Sequence, residues 1–190
     1  MLDAQLRQQI NTAADILRSA TSVTALTGAG ISTPSGIPDF RSPDSGMWDN
    51  ADPMVVASLY GFQRQPEAFY EWVRPLIHIT ANAQPNPAHI ALRHLEEMGI
   101  LQSIVTQNID ILHSKAGSQT IYEVHGHLRE LECLACGVTA PAEPAMLKLA
   151  DNGEIPTCIA CGAIVKPKVI LLRASPSQNY AGGRASGTTV

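Results

Sequence analysis

The sequence has few charged residues and no long apolar stretch. Only 16% of its 190 residues are charged, and the formal net charge is −4. A chain without basic clusters lacks the electrostatic footprint of a nucleic-acid surface or of a polybasic membrane patch. No apolar run approaches the ~18 residues of a spanning helix, and the N-terminus lacks the apolar core of a signal peptide. These absences predict a soluble, cytoplasmic protein with neither nucleic acid nor membrane as a partner.

Cysteine is also scarce, and its placement is informative. The four cysteines form two Cys-x-x-Cys pairs, Cys133 with Cys136 and Cys158 with Cys161, separated by 21 residues and each followed by glycine. This spacing is typical of a zinc ribbon, and reducing compartments disfavour the alternatives, disulfides or a redox pair. Four sulfurs fill a tetrahedral shell, so the pattern predicts one structural Zn²⁺ with no open position.

A nucleic-acid ribbon is the rival use of such cysteines. Residues 128–168 carry four Lys or Arg and five Asp or Glu, a net charge of −1, which disfavours that use. With 45% hydrophobic residues the chain has enough material for one substantial domain, or for a domain with a small insert.

A glycine turn follows the first β-prone run. Val23–Thr27 leads directly into Gly28, Ala29 and Gly30. A strand that enters such a turn lets backbone N–H groups approach a phosphate. The third glycine of the usual dinucleotide fingerprint is replaced by Thr33. The turn by itself is therefore either a phosphate-binding bend or an ordinary strand-to-loop connection.

The next loop places Phe40 between Asp39 and Arg41. An aromatic ring between a carboxylate and a guanidinium can cover a ligand; the alternative is a surface loop with a local ion pair. Proline, glycine and apolar spacing around it predict helices over 3–19, from Asp52–Pro53 to Gly61, from Pro66 to about Leu76, from Asn86–Pro87 to Gly99, and over Ile109–Ala116.

Two further strands are followed by polar residues. Ile104–Thr106 precedes the cluster Gln107–Asp110, and Ile121–Val124 precedes His125. Ligands of open parallel sheets bind outside the carboxyl ends of the strands. The glycine turn, the polar cluster and His125 should therefore lie at one edge of one sheet, where a neutral imidazole can act as a base.

These segments together resemble the sirtuin family, the NAD-dependent protein lysine deacylases, in a bacterial-type form. The order and spacing match from about residue 20 to about residue 171. The motifs that carry the resemblance are Gly28–Ser32, Gly36–Arg41, Thr106–Asp110 with Leu112–His113, His125–Gly126 and the two cysteine pairs.

The resemblance implies an α/β fold, an incomplete Rossmann-like parallel sheet with a small zinc-ribbon module and a helical insert. The implied domains are residues 1–127 as the first part of the NAD-binding domain, with the insert at about 42–85, and 128–165 as the zinc ribbon. Residues 166–172 would return as a strand to the sheet, and 173–190 would form a disordered tail.

The resemblance also implies roles for individual residues. Gly28, Ala29 and Gly30 would contact the NAD phosphates, and Asp39, Phe40 and Arg41 would close over nicotinamide and ribose. Gln107 would face the nicotinamide ribose, Asn108 would orient it or a water, and Ile109 and Asp110 would line the nicotinamide pocket. His125 resembles the general base, and Cys133, Cys136, Cys158 and Cys161 the zinc ligands.

The activity implied is NAD-dependent removal of acyl groups from lysine side chains of proteins, giving nicotinamide and O-acyl-ADP-ribose. Desuccinylating members carry Tyr-x-x-Arg in the helical insert. Here Val73 stands at the arginine position after Tyr70, and Arg74 comes one place later, which favours deacetylation. The alternative is a catalytically inactive remnant, a zinc-containing module that binds peptides or proteins.

The sequence departs from the family after about residue 171. Arg173–Val190 is rich in Ser, Gly, Ala and Thr and shows no periodicity, which predicts a disordered tail. We interpret the change as a truncation or a shifted reading frame. A Rossmann-type sheet without its second half should leave an apolar face and one sheet edge uncovered, so catalysis by this chain should be impaired.

Overall fold

The computed structural model describes residues 3–39 and 51–173. Phe40, Arg41 and residues 174–190 of the expected tail lie outside them. In chain order the elements are α1 Ala4–Ser19, β1 Thr24–Thr27, 3₁₀ turns Ala29–Ile31 and Thr33–Ser35, α2 Pro53–Val56, α3 Leu59–Arg64, α4 Pro66–Asn82, α5 Pro87–Glu97, β2 Ser103–Thr106, α6 Leu112–Lys115, β3 Ile121–Glu123, β4 Gly126–Glu132, β5 Thr139–Pro141, α7 Glu143–Asn152 and β6 Lys166–Val169.

A three-stranded parallel sheet forms the first half of the fold. Its order is β1-β2-β3, and Thr27, Thr106 and Glu123 lie side by side at the carboxyl ends of the strands. All three strands were expected from their β-prone runs, and the structure confirms them to within one residue at each end. Leu26 is 70% exposed and Tyr122 58% exposed. Parallel sheets are normally covered on both faces, so one apolar face here lacks a cover within the described residues.

The helix expected over residues 3–19 is confirmed as α1. It begins where the Asp3 carboxylate accepts a hydrogen bond from the Leu6 N–H, 2.7 Å away. An aspartate at this position satisfies one of the N–H groups that the first turn leaves without an intrahelical partner. None of its residues is buried, and Ile16 is 63% exposed. Its apolar stripe therefore remains uncovered by the described residues.

The second sheet is antiparallel, with the order β5-β4-β6. This corrects the expectation that residues 166–172 return to the parallel sheet, because β6 pairs with β4. The contacts of the Lys166 ammonium explain part of the pairing between β6 and β4. It is buried, forms an ion pair with Glu132, and donates to the carbonyls of Pro167 and Val169 at 3.0 Å each. A buried charge needs such partners.

The main hydrophobic core joins the helical insert to the antiparallel sheet. Phe62, Phe69 and Tyr70 pack edge to face, with ring centroids 5.2–6.1 Å apart. The buried Tyr70 hydroxyl donates to the Val165 carbonyl. Other buried members of the core are Ile77, Leu131, Cys133, Ala142, Met146, Leu149, Cys158, Val165, Val169 and Leu171. The zinc module and the insert thus share one core.

Three expected helix ends are wrong. Gly61 does not end a helix but lies inside α3, α4 continues past Pro75 to Asn82, and α6 is confined to Leu112–Lys115. The extension of α4 follows from packing, since Ile77 is buried in the core and α4 lies against α7. Helical stability in proteins comes mostly from such packing.

Gly61 is required by a close backbone approach. A Cβ at this position would lie 2.0 Å from the Val55 carbonyl oxygen. We expect Gly61→Ala to lower the free energy of unfolding by about 1–3 kcal/mol, the usual cost of overpacking, although alanine is the better helix former. Urea denaturation would measure the change. Gln63→Ala, at an exposed position of the same helix, is the control; an equal effect of both substitutions would contradict the steric explanation.

Within the described residues, none of the helices combines the length and the hydropathy that crossing a membrane requires.

Candidate functional site

The carboxyl edge of the parallel sheet brings the three predicted segments together. Each strand ends in register with its neighbour, so the residues that follow them are also neighbours. These are the glycine bend, here defined as Gly28–Ser32, the cluster Gln107–Asp110, and His125. The Gln107 N–H donates to the Thr27 carbonyl at 3.0 Å. The expectation that they share one edge of one sheet is confirmed.

The glycine bend is a tight 3₁₀ turn with an open surface. The N–H of Ile31 donates to the Gly28 carbonyl at 3.1 Å, and that of Ser32 to the Ala29 carbonyl at 2.9 Å. The first N–H groups of a helical turn have no intrahelical partner. A Cβ on Gly30 would meet no atom within 4 Å. The backbone of the bend is therefore accessible to a ligand from outside.

The polar cluster holds the bend from the sheet side. The Asn108 side-chain amide donates to the Gly28 carbonyl at 3.1 Å and to the Ser32 hydroxyl at 3.0 Å. The Ser32 hydroxyl in turn donates to the Asp110 carboxylate at 2.6 Å, and the other oxygen of Asp110 accepts from the Leu112 N–H at 2.9 Å. Both Asp110 oxygens are thus engaged, and its buried carboxylate meets the bend through Ser32.

The imidazole of His125 is exposed, and a hydrogen bond to Gln107 orients it. Its Nδ1 lies 3.0 Å from the Gln107 carbonyl oxygen. A carbonyl oxygen only accepts, so the neutral form of the ring is the tautomer with the proton on Nδ1 and the lone pair on Nε2. The Gln107 side chain reaches back to the bend, its Oε1 4.0 Å from the Cβ position of Gly28. Gln107 therefore contacts the His125 ring through its carbonyl and lies near the glycine bend through its side chain.

The backbone around His125 is held by both sheets. Its carbonyl accepts from the Ile170 N–H at 2.8 Å. Gly126 has φ +80°, a left-handed conformation that favours glycine. Across this turn Arg129 forms a two-pronged ion pair with Glu123, and the carboxylate raises the pKa of the Arg129 guanidinium. The pair fixes the junction between the parallel and antiparallel sheets.

Of the other predicted cofactor residues, Gln107 and Ile109 belong to the polar cluster at this edge. Gln107 is exposed and Ile109 half-buried, with the Ile109 carbonyl accepting from the Leu128 N–H at 3.1 Å. Asp39 is half-buried at the end of the first described stretch. Phe40 and Arg41 lie outside the described residues.

Sequence reasoning missed several residues that support the site. Ser32, Thr27 and Asn86 give no signal of their own, because their partners are remote in the chain. Ile111 has φ +62°, a strained conformation for a β-branched residue. It lies beside Asp110 at the start of α6, and no sequence pattern marks it.

The four cysteine sulfurs meet at one point. Cys133 and Cys161 have sulfurs 3.6 Å apart, Cys136 and Cys158 3.5 Å apart, and all four lie within 4.8 Å of one another. Zinc–sulfur bonds of ~2.3 Å give a tetrahedron with edges of about 3.8 Å. The donor set therefore fits one zinc ion, and its closed shell makes the ion structural.

Backbone N–H groups favour the thiolate form of the cysteines, which is the form that binds a metal. The N–H groups of Ala160 and Cys161 lower the pKa of the Cys158 thiol to about 7. At Cys136 the Val138 N–H lowers the pKa, but the three neighbouring cysteines outweigh it and raise that pKa to about 12. Four thiolates this close need a cation between them.

Comparison with known proteins gives the family. The Sir2 family model matches residues 28–180. The NAD-dependent protein deacetylase 2 of Caldanaerobacter subterraneus subsp. tengcongensis is 46% identical over 159 residues, 84% of this chain and 64% of that protein. The NAD-dependent protein deacylase 2 of Archaeoglobus fulgidus is 44% identical over 167 residues, 87% of this chain and 65% of its own.

A solved structure from work on the mechanism and regulation of Sir2 enzymes superposes with a TM-score of 0.77 at 45% identity. It covers 86% of this chain and 64% of its own. The chain thus spans just under two thirds of the length of these relatives. The matching region contains the glycine bend, the polar cluster, His125 and all four cysteines. By its sequence and by its fold, the chain belongs to the Sir2 family, the sirtuins.

Proposed function

We propose that the chain takes part in NAD-dependent removal of acyl groups, acetyl first, from protein lysine side chains, as an acyl-transferring deacetylase that gives nicotinamide and O-acyl-ADP-ribose. The observation that carries this proposal is the hydrogen bond of His125 Nδ1 to the Gln107 carbonyl, which leaves Nε2 without a partner among the described residues, at the sheet edge that also carries the glycine bend. The two relatives named above are NAD-dependent protein deacetylases or deacylases.

The residues present fit a dinucleotide at this edge. The open backbone of Gly28, Ala29 and Gly30 would hold its phosphates, and the Asp39–Arg41 loop would close over its nicotinamide side. Gln107 is exposed beside the bend and would contact the ribose. When bound, NAD supplies an activated ribose carbon from which nicotinamide leaves.

His125 then acts as a general base. Its Nδ1–H is occupied by the Gln107 carbonyl, so only Nε2 is available to accept the proton of a ribose hydroxyl. Asn108 keeps the bend in place with its Nδ2 and leaves its Oδ1 to orient a ligand hydroxyl or a water. Asp110 and Ile109 complete the wall behind the nicotinamide side.

The environment of Tyr70 and Arg74 supports acetyl, rather than an acidic acyl group, as the group that is removed. Tyr70 is 1% exposed, and its hydroxyl donates to Val165 inside the core. The Arg74 guanidinium donates to the Ala150 carbonyl at 3.2 Å. Neither side chain is free to hold an acidic acyl group, which supports deacetylation over desuccinylation. The substrates would be acetylated proteins.

Zinc is the structural metal of the proposal, held by Cys133, Cys136, Cys158 and Cys161. Four unpaired thiols at ligand distance suit a reducing compartment, which supports a cytoplasmic location. We propose the Rossmann-like part over residues 1–127, with its insert at about 42–85, and the zinc module over 128–165. Because β6 pairs with β4, we add residues 166–169 to the module.

Nicotinamide release from NAD in the presence of an acetylated peptide tests the proposal. We expect release by the wild-type chain and a loss of about 10²–10⁴-fold in His125→Ala, with one zinc per chain in both proteins. His94→Ala, at an exposed position of α5, should behave as wild type. Wild-type turnover in His125→Ala would contradict the assignment of the base. Acetylated-peptide binding without any nicotinamide release would favour a non-enzymatic binding module.

A further inference from the structure

Two buried histidines are connected to the glycine bend by hydrogen bonds and have no role in the proposed chemistry. His89 on α5 is 0% exposed and His113 on α6 is 3% exposed. Their ring centroids are 4.8 Å apart, with an angle of 59° between the ring planes. Burying polar ring nitrogens costs free energy unless they have hydrogen-bond partners.

The pair is connected to both ends of the bend. His113 Nε2 lies 3.0 Å from the hydroxyl of Thr27, the residue before Gly28. His89 Nδ1 accepts from the Asn86 N–H at 3.3 Å. The Asn86 side-chain amide donates to the Ile31 carbonyl at 2.7 Å and to the Ser35 hydroxyl at 2.9 Å. The two rings therefore support the bend at its entry and at its exit.

The hydrogen bonds define the tautomer of the first ring. A backbone N–H only donates, so His89 Nδ1 is unprotonated and Nε2 carries the hydrogen. Among the described residues, His89 Nε2 and His113 Nδ1 both lack a hydrogen-bond partner. A buried donor or acceptor without a partner costs about 1–3 kcal/mol. The two nitrogens do not bond to each other, so among the described residues the polar contacts of the pair are those to Thr27 and Asn86.

We propose that His89 and His113 are positioning residues for the glycine bend and act as a buried pair of neutral imidazoles. His113 holds the bend through the hydrogen bond between its Nε2 and the Thr27 hydroxyl, and His89 holds it through the Asn86 N–H that its Nδ1 accepts. The ligand held by the bend follows from the proposed function. The pair itself is a property of the chain and is present without ligand.

The surrounding charges are consistent with neutral rings. Burial lowers the pKa of both, and His89 lowers that of His113 further; Asp110 opposes this for both rings and Glu123 for His113. In the unfolded chain the rings titrate near ~6.5. Below that pH the unfolded state binds more protons than the folded state, so stability contributed by the neutral pair is lost as the pH falls from about 7.

Long-range ¹H–¹⁵N spectra of the imidazoles test the pair directly and need no ligand. At pH 7.5 we expect both rings to be neutral and His89 to be the Nε2–H tautomer. An Nδ1–H tautomer of His89, or a charged ring at this pH, would overturn the proposal.

Binding of NAD to variants tests the positioning role. His113→Phe removes the hydrogen-bond partner of the Thr27 hydroxyl, and we expect the dissociation constant for NAD to rise about tenfold, the equivalent of ~1.4 kcal/mol. His113→Gln keeps an N–H donor and should recover most of this loss. His94→Gln, exposed on α5, is the control. Calorimetry on samples matched by circular dichroism gives the constants, and wild-type affinity in His113→Phe would overturn the role.

The two experiments separate this proposal from the proposed function. If the wild-type chain binds no NAD, the proposed function fails, and the imidazole spectra still decide whether the pair exists. The amide resonances of Gly28 and Gly30 then report positioning without ligand. They should shift in His113→Phe and remain in place in His94→Gln; unchanged resonances in His113→Phe would count against the role.

Discussion

Removing zinc from the protein should unfold the module from β4 to β6. The ion would tie the turn after β4 to the segment before β6, and a structural zinc site contributes on the order of 10 kcal/mol to the folding of its own segment. Leu131, Met146 and Leu149 of the module belong to the core shared with the helical insert, so without the ion the module has little apolar burial of its own. Near-ultraviolet circular dichroism during titration with a chelator would follow the loss of tertiary structure.

The effect should extend beyond the module. Cys133 and Cys158 are members of the same core as Phe69 and Tyr70 of α4, so the helical insert loses packing when the module unfolds. Hydrogen exchange should therefore rise in α4 as well as in β4–β6, and remain slower in β2.

Cys136→Ser tests by mutation whether the zinc ion stabilises the module. The exposed thiol adds little to the core, so its loss matters mainly through the metal. We expect loss of stoichiometric zinc and of cooperative melting, whereas Ala135→Ser, one residue away, should keep both. A chelated protein that still melts cooperatively at the original temperature would show that the cysteines are not structural ligands.

The features that sequence predicted well are local ones. The cysteine pairs were recognised from spacing because ligand geometry restricts how far apart they can be. The start of α5 was clear because Asn86 and Pro87 supply a cap and a first-turn proline, and the structure adds a capping box through His89. The three parallel strands were visible as apolar runs followed by polar residues.

The features that it missed depend on packing between elements rather than on local residue patterns. Gly61 looked like a helix end, but it is needed for an approach to Val55. The helix from Pro66 was expected to end at about Leu76, yet packing extends α4 to Asn82. The strand at Lys166 could have joined either sheet, and only its pairing with β4 decides between them.

The same limit holds at the site. Polar residues at strand ends gave its place, since parallel strands bring their carboxyl ends to one edge. The hydrogen bonds inside it were not predictable. Ser32 and Asp110 are 78 residues apart, and Thr27 and His113 are 86 apart. The free lone pair on His125 likewise depends on a backbone carbonyl, which no residue type signals.

Gly126→Ala should damage the site without altering any polar group in it. The residue has φ +80°, and an added Cβ would lie 2.2 Å from the Lys168 carbonyl oxygen and 3.0 Å from the Cα of Val169. The left-handed conformation costs an L-residue about 1–2 kcal/mol, and the overlap adds about 1–3 kcal/mol. Both neighbours are backbone, so β4 and β6 must separate.

His125 is the residue that this movement displaces, because its carbonyl is bonded to the Ile170 N–H just beyond the point of overlap. A shift of about 1 Å at a reacting group can cost about 10²-fold in rate. We therefore expect Gly126→Ala to lose at least about a hundredfold in nicotinamide release and about 2–5 kcal/mol in the free energy of unfolding.

Gly99→Ala distinguishes backbone strain from steric overlap with β6 as the cause of the lost turnover. Gly99 has a similar φ of +73°, but its Cβ would meet nothing within 4 Å. The destabilisation of this variant therefore comes from the left-handed backbone conformation and not from a steric overlap. It should lose about 1–2 kcal/mol in stability and keep its turnover. If both variants lose turnover equally when compared well below their melting temperatures, backbone strain alone explains the loss. A selective loss in Gly126→Ala places the cause in the contact between the His125 turn and β6.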